Sequence, residues 1–183
     1  MKAAATTRQE DAVLGELIER YRGALVSVAL DRIGRFDVAE EIAQQALVAA
    51  WEHRASLRDP AALGSWLYRI ASNCCAQWQR REDRWVLPDA AGHSPGERSS
   101  GMADWERRET IREVRVALAE LPSRNRVALL MHLYGYSYAE IAAFLNLRAS
   151  TIRGRIARAR DHLKRSLIRR LGSSVGAKGD EQR

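Results

Sequence analysis

No apolar run in this 183-residue chain approaches the ~20 residues that a membrane-crossing helix requires, which excludes a helical membrane protein. Residues 1–13 lack the apolar stretch of a secretory signal, so a cytoplasmic protein is expected. Cysteine is nearly absent. The two present, Cys74 and Cys75, are adjacent and point about 100° apart on a helix, so they form no disulfide framework and are expected as small buried side chains. His53, His93, His132 and His162 share no metal-ligand spacing with one another or with the cysteines, and neither a metal nor a cofactor is expected. There is no phosphate-cradling glycine loop, no G-x-S-x-G, no H-E-x-x-H and no carboxylate pair in a catalytic context, so the chain does not read as an enzyme. Lysine is scarce too. Lys2, Lys164 and Lys178 are the only ones among 30 basic residues, a bias that carries no mechanism by itself.

Hydrophobic residues, at 46%, are enough to bury cores, and charge is unevenly placed. Residues 1–106 hold 13 Lys+Arg against 16 Asp+Glu, whereas residues 107–183 hold 17 against 7. The second half is therefore the candidate polyanion binder. No segment alternates like a strand, no long repeat is present, and helical spacing dominates. Leu14, Leu17, Ile18, Tyr21, Leu25, Val28 and Ala29 predict an amphipathic helix over 13–33. A second helix, with Asp37 as its N-cap, carries Ile42, Ala43, Ala46, Leu47, Ala50 and Trp51. After Asp59-Pro60 a third, with Leu63, Trp66, Leu67, Ile70, Cys74 and Trp78, runs toward Arg81. Three such helices close a small core.

From about Leu87 to Gly101, turn formers without hydrophobic period mark a linker. Helical spacing returns near Trp105 with Ile111, Val114, Leu118 and Leu121, breaks at Pro122-Ser123, and resumes with Val127, Leu130, Met131 and Tyr134 up to Gly135. The polar, glycine-rich end from Leu171 to Arg183 is expected to fray. The expected fold is all-α: two small helical domains at 12–85 and 107–170, a flexible linker at 86–106 and a disordered tail at 171–183.

The most informative stretch runs from Ser137 to Ile156. Ser137 with Glu140 is a capping box opening a short helix, in which Ile141 and Leu145 face inward and Ala142 is small enough for close crossing. Asn146 stands at the turn, where a residue able to adopt a left-handed conformation is needed. A second helix begins about Ser150 and keeps Ile152, Ile156, Ala159 and Leu163 on its core side, which is how a helix-turn-helix is built. At 100° per residue from Ile152, Ser150, Arg153, Gly154, Ala157 and Arg158 fall at about 100° to 240°, a face that can enter a major groove. Arg153 and Arg158 can donate bidentate bonds to guanine edges, while Arg148, Thr151, Arg155 and Arg160 flank them where phosphates would lie. Glycine at 154 costs a helix interior roughly 1 kcal/mol against alanine, offset by close approach to DNA or by a packing need.

With its Leu-Pro-Ser-Arg, Tyr-Ser-Tyr-Ala-Glu-Ile-Ala and Ser-Thr-Ile-Arg-Gly-Arg-Ile-Ala-Arg-Ala-Arg runs, Leu118 to Leu167 resembles region 4 of the extracytoplasmic-function (group IV) sigma factors of RNA polymerase. Upstream, Asp37-Val-Ala-Glu-Glu-Ile-Ala-Gln-Gln-Ala-Leu-Val-Ala-Ala-Trp51 and Ser65-Trp-Leu-Tyr-Arg-Ile-Ala-Ser-Asn73 resemble region 2 of the same family, in family order.

The resemblance implies that the first domain binds the polymerase clamp and opens the -10 element, and that the second binds the flap and reads the -35 element. It makes Asp37, Glu40, Glu41, Gln44 and Gln45 the clamp contact; the second glutamine is often Glu in the family, a loss of charge expected to alter affinity more than role. On the third helix Arg69, Asn73 and Arg80 share a stripe at about 200° to 240° from Leu67, with Gln77 beside it, and are the expected -10 contacts. In the family a nearby loop, here about 56–64, holds a base flipped from the stack. The linker resembles the connector that threads the polymerase near the RNA exit path, its flexibility letting both domains reach their elements. Gly154, often Ser, and Arg148, often Ser or Pro, depart from the family pattern and bear on which -35 sequence is read. Core polymerase and promoter DNA are the implied partners, with an anti-sigma factor as a family expectation and a monomer on polymerase as the implied state.

Rival readings are fewer in support. A helix-turn-helix repressor acting without polymerase would account for the second domain but not for the motifs of the first. A general RNA-binding helical protein is disfavoured because the basic residues concentrate in the helix-turn-helix.

Overall fold

The apolar stripe expected to run unbroken over 13–33 is divided at Tyr21, whose amide donates to the Ile18 carbonyl (3.0 Å) and whose φ and ψ of -87° and 3° leave the helix. Its cause lies far along the chain, because the Tyr21 ring stacks on Tyr136 and Phe144 at 6.4 and 5.7 Å. The computed structural model describes residues 13–85 and 102–177, and all regular structure among them is helical. The split gives α1 over 13–20 and α2 over Arg22–Ile33. α3 follows over Phe36–Glu52, then short 3-10 turns at Arg54–Ser56 and Pro60–Ala62, then α4 over Leu63–Trp85. The second unit comprises α5 over Met102–Ala119, α6 over Ser123–Leu133, α7 over Tyr138–Leu145 and α8 over Ala149–Ala177.

Gly34 ends α2 in the left-handed conformation (φ 74°), its amide reaching the Leu30 carbonyl at 2.9 Å. α3 then opens at Phe36 with extended Arg35 as the N-cap, so the cap expected at Asp37 is displaced by two residues. Arg35 already supplies the non-helical residue, and Asp37 sits inside the first turn, where its carboxylate takes a 2.8 Å bond from Arg35 and complements the helix dipole. Asp59 does cap, accepting the Ala61 amide at 2.9 Å with Pro60 in the first position.

In the first unit Leu25, Val28, Ala29, Ile42, Ala43, Ala46, Leu67, Ala71 and Cys75 are all buried, and the alanines let α2, α3 and α4 approach closely. Burial pushes the Cys75 thiol up to about 11, and Cys74 is raised for the same reason, as expected of packing rather than reactive cysteines. Trp51, placed on the core stripe by its spacing, is instead 40% exposed, with the Arg54 guanidinium 4.4 Å from its ring centroid. Ile111, Leu17 and Tyr134 likewise stay exposed.

The second unit buries Ala117, Leu121, Val127, Leu129, Met131, Ile141, Phe144, Ile152, Ile156 and Ala159. α8 continues to Ala177, into the stretch expected to fray from residue 171. Just before that stretch α8 is anchored: Arg170 pairs with Glu113 of α5 (3.1 Å) and with Glu120, one residue past the end of α5, and buried Ser166 donates to Glu120 at 2.6 Å. α5 begins at Met102, inside the span expected as linker; the rest of that span, 86–101, lies outside the described residues, as do 178–183.

The two units pack together as a single continuous core. α2 lies on α6 and α4 on α7. At the α4–α7 crossing a Cβ on Gly64 would come within 2.9 Å of the Phe144 backbone, so only glycine permits the approach.

Candidate nucleic-acid interface

The helix-turn-helix is built as its sequence indicates. Ser137 Oγ accepts the Glu140 amide (3.2 Å) while the Glu140 carboxylate takes the Ser137 amide (2.9 Å), completing the capping box. These bonds and the Arg20 guanidinium hold the Glu140 carboxyl below its usual range. Asn146 adopts φ 52° and ψ 54°, and the following Leu147 amide returns to the Ala142 carbonyl at 2.8 Å. The chain thereby re-enters a helix at Ala149 with Ile152, Ile156 and Ala159 buried.

What this leaves outward is the first two turns of α8. Arg148, Ser150, Arg153, Ala157 and Arg158 are exposed, and Thr151, Gly154 and Arg155 are half-buried. The first turn of α8 contains no acidic residue. Arg153 lies 5.9 Å from the Tyr138 ring centroid, which orients its guanidinium before any ligand arrives. Arg155 turns back toward α6, donating to the Arg124 carbonyl at 3.5 Å. Burial, together with the like charges of Arg124 and Arg158, pushes the Arg155 guanidinium below its usual range. Arg124, at the start of α6, is thus part of this positive cluster; its position in sequence, far from the helix-turn-helix, gave no sign of it. A Cβ on Gly154 would meet Arg158 Nη1 at 3.3 Å, so the glycine leaves the Arg158 side chain room to lie against the helix.

On α4 the Arg69, Asn73, Gln77 and Arg80 stripe is exposed along its whole length. Arg32 of α2 borders it, donating to Ser72 at 3.1 Å while its carbonyl accepts from Gln79 at 3.4 Å. The residues of the polar α3 face are all exposed but are not equivalent. Glu41, Gln44 and Gln45 line a shallow groove with Val48, Ala49 and Glu52. Asp37 is engaged by Arg35, which holds its carboxyl below the usual range, and Glu40 lies on the side toward Tyr134, whose hydroxyl it helps to raise after burial. Val48 and Glu52 were not among the residues expected there; the 58% exposure of an apolar Val48 is the signal that marks it. In the loop before α4, Arg58 to Ala61 are exposed, and Arg54, Leu57, Pro60 and Leu63 form an apolar groove with Val13, Leu14 and Leu17.

Residues 17–85 match the family model for Sigma-70 region 2, and residues 111–163 match that for Sigma-70 region 4. The ECF RNA polymerase sigma factor SigM of Mycobacterium tuberculosis is 35% identical over 156 residues, covering 83% of this chain and 76% of that protein. This chain belongs to the extracytoplasmic-function sigma factors. A probable RNA polymerase sigma factor, RfaY of Xanthomonas campestris, is 26% identical over 167 residues, covering 86% of this chain but 41% of that longer protein. Among solved structures, the sigma factor RpoE in complex with the anti-sigma factor NepR from Bartonella quintana superposes with a TM-score of 0.52 at 25% identity, over 83% of this chain and 94% of that one. As a sigma factor the protein recognises promoters for RNA polymerase. The α3 and α4 faces fall in region 2 and the α8 face in region 4, whereas the Arg170 anchor lies beyond the region 4 match. No described helix is long and apolar enough to cross a membrane.

Proposed function

We propose that this sigma factor reads the -35 element with the first two turns of α8 and the -10 element with the exposed stripe of α4. The observation that carries the first assignment is the α8 tip itself, where Ser150, Arg153, Ala157 and Arg158 project together from a helix that follows the capped α7 and its left-handed turn and has no acid in its first turn. Arg153 and Arg158 make base-edge contacts, with Ser150, Gly154 and Ala157 against the groove floor; Arg148, Thr151 and Arg155, joined by Arg124, meet phosphates. On α4, Arg69 and Arg80 meet backbone phosphates while Asn73 and Gln77 present amides to bases of the opened strand, with exposed loop residues 58–61 beside them. The groove of Glu41, Gln44 and Gln45 docks the polymerase clamp, with Asp37 and Glu40 at its margin, and region 4 docks the flap. The protein works in the cytoplasm, as a monomer on polymerase, and performs no catalysis of its own. Because RpoE was solved with an anti-sigma factor, a protein of that class is proposed as a partner here too.

The test is run-off transcription with core polymerase on a pool of genomic promoter fragments, sequencing the start sites. Starts sharing spaced -10 and -35 elements, lost on Arg153→Ala with Arg158→Ala, are the expected result. Tight polymerase-independent binding to palindromic DNA with no new starts would favour a repressor instead.

A further inference from the structure

The helix-turn-helix holds its two central arginines by different devices. Arg158 lies along α8 in the space that Gly154 leaves, where a Cβ would meet its Nη1 at 3.3 Å. Arg153, nearer the start of the helix, has its guanidinium carbon over the Tyr138 ring, 5.9 Å from the centroid. Tyr138 is the first residue of α7, so the capping box at Ser137 that fixes the start of that helix also fixes the root of this ring. The ring is supported in turn by His132 in the last turn of α6, stacked on it with centroids 5.2 Å apart and planes 19° apart. His132 is itself held, its Nδ1 standing 3.3 Å from the Tyr136 carbonyl oxygen. A carbonyl can only accept, so Nδ1 is the nitrogen that carries the proton. Three helices thus meet in one stack, with an imidazole from α6, a phenol from α7 and a guanidinium from α8.

An unsupported arginine on an exposed helix face samples many rotamers, and ordering such a side chain on binding weakens an interface by about 2- to 12-fold. It also pairs with a nearby phosphate, which carries no sequence information, in place of a base edge. We propose that Tyr138 and His132 are positioning residues for -35 recognition: the stack presets the Arg153 guanidinium for one base pair, and the sequence preference at that base pair depends on both rings. The proposal rests on the assignment of Arg153 to a base edge made above.

The test uses holoenzyme, assembled from core polymerase and the full chain, on a promoter pool randomised across the -35 element; sequenced transcripts give the preference base by base. Arg153→Ala first marks the position that Arg153 reads. Tyr138→Leu is expected to relax preference at that same position by about 2- to 12-fold and to leave the positions read by Arg158 unchanged. Tyr138→Phe, which keeps the ring, should retain the wild-type preference, and His132→Ala should relax it by less than Tyr138→Leu. Combined with Arg153→Ala, Tyr138→Leu should add nothing at that position. A Tyr138→Leu protein that loses output evenly over all sequences, or that keeps the wild-type preference, overturns the positioning role, as does a Tyr138→Phe protein that behaves like Tyr138→Leu. Should Tyr138→Leu lose helical circular dichroism, His132→Ala takes its place, and an unchanged preference at the Arg153 position then overturns the stack. Failure of the underlying reading looks different, because Arg153→Ala itself would then shift the preference at no position.

Discussion

The two helices proposed to face DNA are exposed for different reasons. The α8 tip is positioned by backbone devices written locally, a reciprocal capping box and a left-handed Asn146, whereas the α4 stripe is defined only by facing away from the core formed by Leu67, Ala71 and Cys75. A recognition surface of the first kind is held to a fixed angle by hydrogen bonds to its own turn. One of the second kind takes its place from whatever packs behind it. Mutations outside the contact residues should therefore alter -35 reading sharply and -10 reading only through stability.

The largest effect should come from Phe144→Ala. Phe144 is fully buried, stacks on Tyr21 at 5.7 Å and meets Tyr68 edge-on at 5.8 Å, so its loss weakens both the turn and the packing between the units. About 3–5 kcal/mol of destabilisation is expected, measured by denaturant unfolding. Next come two of the left-handed turns, one in each unit. Gly34→Ala in the first unit and Asn146→Ala in the second each force alanine into positive φ, at roughly 1–2 kcal/mol. Only the second should also reduce -35 duplex binding beyond its effect on stability, which contrasts the two units directly in a binding assay on folded protein.

Gly154→Ala sharpens the point, with stability expected to rise by about 1 kcal/mol in thermal melts while -35 affinity falls as Arg158 is displaced. The smallest effect is one of pH. The Glu140 carboxyl is held below its usual value of 4.5 by bonds from Ser137 and Arg20. Its stabilisation is present above pH 4.5 and is lost as pH falls through the lowered folded value. The melting-temperature gap between wild type and Glu140→Gln should accordingly be open at pH 7 and narrow progressively as pH falls below 4.5.

Reading along the chain recovered features whose causes are local. Ser137 and Glu140 sit three residues apart, Asn146 is its own evidence for a turn, and Ile152, Ile156 and Ala159 recur at helical spacing. It missed features whose causes are distant. The bend at Tyr21 answers to Tyr136 and Phe144, the placement of Arg155 answers to Arg124, and Trp51 follows the core period yet stacks on Arg54 at the surface. Periodicity identifies which face of a helix is apolar but not what covers it, so the seam between units had no signature. Asp37 was misplaced as a cap for a related reason, since an acid in the first turn and an acid at the cap look alike until Arg35 is seen to be extended.

The 29 residues of α8 amount to a rod of ~44 Å, and its two ends have different tasks. At Ser166 and Arg170 it is bolted to α5 and to Glu120 just past its end, with Ser166 some 24 Å from Ser150 at the exposed tip. Across that span, five degrees of slack at the bolt moves the tip by about 2 Å, enough to take an arginine out of reach of a base edge. On the proposed reading of α8, the aim of the -35 reader is thus set in part by Glu113 and Glu120 at the far end of the rod: they fix the mounting from which the helix points.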